Sequence, residues 1–145
     1  MADPGMSWAA YPWAKPGQRR ALAGLVMPLA GKAALALADR FDSNVYRPGT
    51  VLFYRSHLPL ACYLLSHGSV VLEFGHGNRA ARGIMVEGPA MLGHWHALKG
   101  QAYPVTARAV TPAVVALIPR RESGQIKLPR TGDAPLAIPV GRVLE

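Results

Sequence analysis

The sequence contains a single cysteine, Cys62, and few charged residues, and each shortage excludes a class of protein. One thiol cannot form an internal disulfide, and the chain has no Cys-His cluster of the zinc-finger type. Only 17% of the 145 residues are charged while 50% are hydrophobic, which excludes a disordered chain and allows one buried core. The serine-hydrolase elbow and the glycine-rich phosphate loop with lysine are also missing. With no close pair of carboxylates for acid–base catalysis, we expect a protein that is not an enzyme and has no cofactor.

The positive charge is large but dispersed. Sixteen lysines and arginines against eight acidic residues give a net charge of +8. The cations form no dense run, and no known nucleic-acid motif accompanies them. A solvated basic surface is therefore the simpler interpretation, and association with nucleic acid is the alternative.

The chain divides by composition into four segments. Residues 1–18 form an arm rich in proline and tryptophan, and residues 19–44 form a helical segment. Residues 45–122 contain short apolar segments separated by turns, and residues 123–145 form an extended tail that includes one edge strand near 136–140. Proline breaks the tail, so we expect no DNA-binding domain in this chain.

Residues 21–38 form a mostly apolar run that follows Arg19 and Arg20. An export segment of the twin-arginine type is one interpretation of this run. Lys32 interrupts it, however, and its large apolar residues recur at spacings of three and four, which favours one or two short packing helices. We therefore expect a cytoplasmic protein that does not span a membrane, with residues 21–38 as a surface for self-association.

The central segment predicts an antiparallel β structure. Its apolar segments are short, rich in Val, Leu, Ile, Tyr and Phe, and bounded by Gly or Pro. Many short strands joined by regular turns favour a sandwich or roll over a parallel sheet. We expect strands at 50–55, 60–65, 69–74, 83–87, 104–110 and 113–119.

The order of these turns resembles that of the cyclic nucleotide-binding domain family of the Crp/Fnr type. The resemblance begins at the turn Arg47-Pro48-Gly49, continues through the hairpin Tyr63–Val70, and includes the glycine turn Val86–Gly93. It implies a mainly β fold with flanking helices, arranged as an antiparallel double-stranded β-helix, which is a jelly-roll or β-roll. It also implies a regulatory role in which the roll senses a ligand or holds a partner.

The residues that would bind a cyclic nucleotide differ from the family pattern. In the family, a glycine and a glutamate begin a short helical turn, and an arginine further on binds the cyclic phosphate. Gly93 matches the glycine, but His94 stands at the glutamate position, Tyr103 at the arginine position and Pro104 directly after it. Losing one charge-assisted hydrogen bond costs about 1.5–3 kcal/mol, roughly one to two decades of affinity. We therefore expect typical cyclic nucleotides not to bind.

A remodelled effector pocket is the hypothesis that follows from this departure. Its ligand would be a small-molecule effector, either an apolar or aromatic molecule or a haem, and a protein partner is the alternative. Trp95 is a further alternative, as a plug that fills the vacated pocket. The effector-sensing part of a transcription regulator remains another interpretation of the chain. The expected ligand-binding residues are Gly93, His94, Trp95, His96, Tyr103, Pro104, Thr106 and Arg108.

The His94-x-His96 pair also resembles the start of the first cupin motif. Two histidines two residues apart on a strand would point to one face and could begin a metal site. The later carboxylate of that motif is absent, since Gly100 and Gln101 stand near its place, and no histidine follows His96. Two histidines without a third ligand make a poor site, so we expect no metal and keep a cupin-type enzyme as the alternative.

Overall fold

The computed structural model describes residues 15–74 and 83–126. Most of the predicted N-terminal arm, the glycine-rich hairpin tip and the edge strand of the tail lie outside these residues. The described helices are α1 (Pro16–Leu25), α2 (Gly31–Ala38), α3 (His94–Lys99) and α4 (Arg120–Ser123). The described strands are β1 (Val26–Pro28), β2 (Ser43–Tyr46), β3 (Val51–Phe53), β4 (Ala61–His67), β5 (Ser69–Glu73), β6 (Gly83–Glu87), β7 (Ala90–Leu92), β8 (Thr106–Ala109) and β9 (Ala113–Pro119).

These strands form two antiparallel sheets, which confirms the predicted β-roll. The five-stranded sheet has the order β1-β7-β4-β9-β2, and the four-stranded sheet has the order β3-β8-β5-β6. Chain neighbours β4 and β5 are joined by a tight turn at Gly68, yet they lie in different sheets. The chain thus crosses between sheets at its hairpins, as a jelly-roll does.

Strand alternation in the five-stranded sheet separates two hydrophobic cores. In β4, Tyr63 and Leu65 face the interior of the roll and belong to the larger core. Cys62 and Leu64 face the opposite side and belong to a second core with the helices. Because successive strand residues point to opposite faces, one strand supplies both cores.

The helices cover the outer face of the five-stranded sheet. Leu37 of α2 and Ala97 of α3 join Met91 of β7 in the second core, and Ile126, just beyond α4, closes it. Leu22 and Leu25 of α1 instead enter the larger core. Within residues 15–74 and 83–126, no helix is both long enough and apolar enough to cross a membrane.

The structure differs from the sequence-based expectations in three short elements. The helical segment is interrupted by β1, which pairs with β7, and it ends in β2, which pairs with β9. These strands place parts of residues 19–44 within the roll. The residues after Gly93 form a helix, α3, where the cupin comparison requires a strand.

Candidate functional site

The candidate site is the part of the roll interior where Tyr103 contacts Gly93, at the start of α3, and strands β3 and β4; we term this region the recess. Tyr103 lies in this recess, with only 3% of its surface exposed. Its ring stacks on Phe53, with ring centroids 4.0 Å apart and an interplanar angle of 21°. Phe53 in turn packs against Tyr63 at 5.5 Å. Three aromatic rings thus fill a continuous part of the core.

The hydroxyl group of Tyr103 is satisfied inside the protein. It donates a hydrogen bond of 2.6 Å to the carbonyl oxygen of Ala61. Strand β7 ends at Leu92, which pairs with Tyr63, so no β7 residue pairs with Ala61. On its other side Ala61 pairs with Pro119, but the neighbouring pair Leu60 and Arg120 carries the hydrogen bond between the strands, so the Ala61 carbonyl points away from β9. The tyrosine hydroxyl therefore supplies a donor that neither neighbouring strand offers opposite Ala61.

The backbone of Tyr103 is fixed on both sides by the turn after β3. The Tyr103 amide donates to the carbonyl oxygen of His57 at 3.0 Å, and the Ser56 amide donates to the carbonyl oxygen of Tyr103 at 2.8 Å. Ser56 adopts a φ of 72°, in the left-handed region that non-glycine residues rarely occupy. These two backbone hydrogen bonds and the hydroxyl bond to Ala61 fix Tyr103 at three points.

Gly93 leaves the space that the Tyr103 ring uses. A Cβ atom at Gly93 would lie 3.0 Å from Tyr103 Cε1, closer than ordinary packing allows. Gly93 also has a φ of 78° at the start of α3, a conformation that favours glycine. The glycine shared with the family pattern therefore contacts an aromatic ring here.

Burial keeps the tyrosine neutral. Desolvation raises the pKa of the Tyr103 hydroxyl, and the nearby hydroxyl of Tyr63 raises it further. The Ala61 carbonyl accepts a hydrogen bond from the Tyr103 hydroxyl, an interaction that the ionised form could not make. The recess thus holds a neutral hydrogen-bond donor at the position where the family resemblance places a cation.

His94 is engaged at the edge of the recess. Its Nε2 lies 2.8 Å from the carbonyl oxygen of Ser123 in α4. Because a carbonyl oxygen only accepts, this ring nitrogen carries the proton and donates it. The side chain therefore connects α3 to α4.

His96 lies on another side of α3, against α1. It is 5% exposed, and its Nδ1 has no hydrogen-bond partner. Burial lowers the pKa of His96, which favours the neutral ring. A Cβ atom at Gly24 of α1 would lie 3.8 Å from His96 Cε1, an ordinary van der Waals distance, so α1 and the His96 ring are in packing contact.

Trp95 does not fill the recess. Its side chain is 46% exposed and meets the His96 ring edge-on, with centroids 5.1 Å apart. The alternative of a Trp95 plug is therefore wrong, and Tyr103 occupies that space instead.

The remaining predicted site residues lie around the start of β8. Pro104 is half-buried next to Tyr103, and Thr106 Oγ1 accepts a hydrogen bond from the Arg55 amide at 3.0 Å. Ala107 and Ala109 of β8 face the interior of the roll, so Thr106 and Arg108 alternate to the outer face. There Arg108 Nε donates to Glu73 at 3.1 Å. The structure thus brings together Gly93 and Tyr103 and directs Arg108 away from them.

The cupin alternative requires a strand at His94 and His96, and that expectation is wrong. His94 and His96 lie on a helix, where residues two apart point in widely different directions, so the two imidazoles do not share a face. Across the described ranges, no group of three or more His, Cys, Asp or Glu side chains is placed to hold a metal ion.

Arg120 stabilises the end of α3, a role that the sequence did not indicate. Its Nε donates to the carbonyl oxygen of Ala97 at 2.8 Å, in the last turn of α3. A cation at this end stabilises the exposed helix carbonyls. In the sequence, Arg120 is recognisable only as a cation directly after an apolar strand. Its contact with α3 depends on the fold.

The site can be compared with known proteins. A family model described as the cyclic nucleotide-binding domain matches residues 43–127. No curated protein matches the sequence closely enough to count as a relative. Among solved structures, catabolite activator protein from Thermus thermophilus is similar, with a TM-score of 0.55 and 22% identity. The match covers 67% of this chain and 46% of that one, so this chain spans less than half of the Thermus protein.

Two further structures share the fold. A cyclic nucleotide-binding-like protein from Brucella abortus has a TM-score of 0.53 and 23% identity, over 66% of this chain and 84% of that chain. The N-terminal domain of a transcriptional regulator from Streptomyces coelicolor has a TM-score of 0.54 and 14% identity, over 67% and 68%. At these identities the similarity establishes the fold alone.

Proposed function

The chain belongs to the cyclic nucleotide-binding domain family, and on that premise we propose that it is a non-enzymatic regulatory or interaction module that does not bind typical cyclic nucleotides. The family's domain occurs in regulatory proteins. The observation that carries the proposal is the buried Tyr103 ring, which occupies the recess. The resemblance assigns this position to the family's phosphate-binding arginine.

The first support is electrostatic. A buried phosphate monoanion needs a cation and aligned N–H donors to replace its water shell. Tyr103 offers a neutral hydroxyl that is already bonded to Ala61, and Pro104 offers no amide proton. Arg108 is the next cation along the chain after Tyr103, and it lies on the outer face of its sheet beside Glu73.

The second support is the state of His94. In the family resemblance this position holds the glutamate that accepts from the ribose hydroxyl. Here the ring donates to Ser123 instead. Loss of both charge-assisted contacts costs about 3–6 kcal/mol in total, or roughly two to four decades of affinity.

The function that remains is regulation through a different ligand or through a partner. The chain keeps the scaffold of a sensing domain, and residues 21–38 contribute α2, whose Leu35 is 68% exposed. A small-molecule effector or a protein partner, including a second copy of this chain, would act on such surfaces.

Calorimetric titration of the full chain with cyclic AMP and cyclic GMP tests the proposal. We expect no saturable binding below the micromolar range for either nucleotide. The matched control ligand is 5′-AMP, because weak, salt-sensitive heats shared by the cyclic and linear nucleotides report only the net positive charge. Saturable sub-micromolar binding of either cyclic nucleotide would refute the proposal.

A further inference from the structure

A second concave site lies on the opposite side of the five-stranded sheet from Tyr103. It is a half-open groove of about 420 Å³ between α2 and the outer face of that sheet, which we term the α2 groove. Its lining includes Ala34 and Ala38 of α2, Val114 of β9 and Pro89. Ligand sites commonly have volumes of about 300–1,000 Å³.

The groove exists because the facing helix residues are small. Gly31, Ala34 and Ala38 recur at spacings of three and four, so they share one face of α2. Leu37, on a neighbouring part of the helix surface, enters the second core and fixes α2 to the sheet. The helix is thus anchored through the second core, to which Ala34 also belongs, while its small side chains leave the adjoining space unfilled.

Ser66 is a polar residue of the groove, and its hydroxyl group lacks a hydrogen-bond partner. Its hydroxyl oxygen is buried and has no hydrogen-bond partner. Ser66 lies at an irregularity in β4, where Leu65 pairs with Val115 and His67 pairs with the very next residue, Val114. Bulges of this kind redirect side chains and are frequent at binding sites. A buried hydroxyl without a partner is unfavourable, so a rotation about the Ser66 Cα–Cβ bond that turned this shielded oxygen into the groove would let a ligand supply the partner.

The described lining contains one ionisable side chain, that of His67. None of the groove-lining residues in the described chain is Lys, Arg, Asp or Glu, and most are apolar. An ionic ligand would lose its water shell here without finding an opposite charge. The lining therefore suits a neutral molecule.

We propose that the α2 groove binds a neutral, largely apolar small molecule whose single hydrogen-bonding group contacts the Ser66 hydroxyl. Such a ligand would bridge α2 and the five-stranded sheet, and would thereby stabilise the docked position of α2. Leu35 and Val45 stand exposed in α2 and on the same sheet face, so a second copy is the competing occupant. Two isolated side chains fall far short of the roughly 800 Å² that each partner buries in a stable interface.

The test is a titration of the full chain with 1-heptanol, followed through the methyl NMR signals of alanine and valine. We expect saturable shifts confined to Ala34, Ala38 and Val114. Ser66→Ala should weaken heptanol binding about three- to tenfold, the effect of losing one hydrogen bond. The matched control Ser69→Ala, three residues along the chain at the start of β5, should bind as the native protein does.

Four results obtained with the probe would overturn the proposal. They are shifts that grow without saturating, shifts spread over the whole surface, equal affinity in Ser66→Ala, and heptanoate binding as tightly as heptanol. Groove signals that shift on dilution without any probe would assign the groove to a second copy, and would also overturn it. Because the groove and the recess lie on opposite faces of the sheet, none of these results depends on the nucleotide titration.

Discussion

Replacing Tyr103 by phenylalanine isolates the hydroxyl group that closes the recess. The substitution keeps the ring, and with it the stacking on Phe53 and the contact with Gly93. It removes only the donor to the Ala61 carbonyl oxygen. Since the β7 pairing stops at Tyr63 and the Ala61 carbonyl points away from β9, that carbonyl would be left without its partner in the interior.

The expected loss of stability follows from this unpaired carbonyl group. A buried acceptor that loses its partner costs about 1–3 kcal/mol. This is more than the net contribution of a typical hydrogen bond, which replaces a bond to water. By contrast, Tyr103→Ala would also remove the ring, and such truncations of a buried aromatic cost about 3–5 kcal/mol. Tyr103→Phe should therefore fall clearly between the native protein and Tyr103→Ala.

Urea denaturation, followed by circular dichroism and tryptophan fluorescence, measures the difference in the free energy of unfolding. Tyr54→Phe is the matched control, because its hydroxyl belongs to an exposed side chain and surface changes fall within about 0.5 kcal/mol. If Tyr103→Phe and Tyr54→Phe have the same small effect, the hydroxyl does not close the recess and the reasoning is wrong.

Three further predictions concern other parts of the structure. Burial lowers the pKa of His96, so the unfolded chain binds its proton first as the pH falls below about 6.5, and stability should fall by up to about 1.4 kcal/mol per pH unit. His96→Phe should remove that part of the pH dependence in urea titrations at pH 7.5 and 5.5; an unchanged dependence would contradict the burial of a neutral ring. Ser66→Ala should raise the free energy of unfolding by about 1 kcal/mol, because it removes a buried hydroxyl without a partner, and a loss of stability would show that the hydroxyl is satisfied. Arg108→Ala should cost less than about 1 kcal/mol in the same assay, since its pair with Glu73 is partly exposed; a larger loss would place the guanidinium in a structural role.

The sequence predicts the long strands of the roll because they are apolar and bounded by turn residues. Strands β4, β5, β6 and β9 lie close to their predicted positions. Strand β2 has no such signal, because three of its four residues are exposed at the edge of the sheet. Strand β1 includes Pro28, which sequence patterns treat as a breaker, although an edge strand tolerates it.

The site is predicted less completely than the fold. The glycine turns locate the segment around Gly93, but the pair His94-x-His96 fits a strand as well as a helix. Two glycines in the left-handed conformation, Gly93 and Gly100, bracket α3 and are the local signal for the helix. The bond from Tyr103 to Ala61 joins residues 42 positions apart, and no local pattern reports it.

The contents of the recess can be measured directly. The ring signals of Tyr103, observed by NMR in the full chain with ¹³C-labelled tyrosine, report its position while cyclic AMP is added to millimolar concentration. We predict that the signals keep their chemical shifts throughout, because the ring stays bonded to Ala61 and stacked on Phe53. A saturable shift of the Tyr103 signals would show that the nucleotide enters the recess, and would contradict the account.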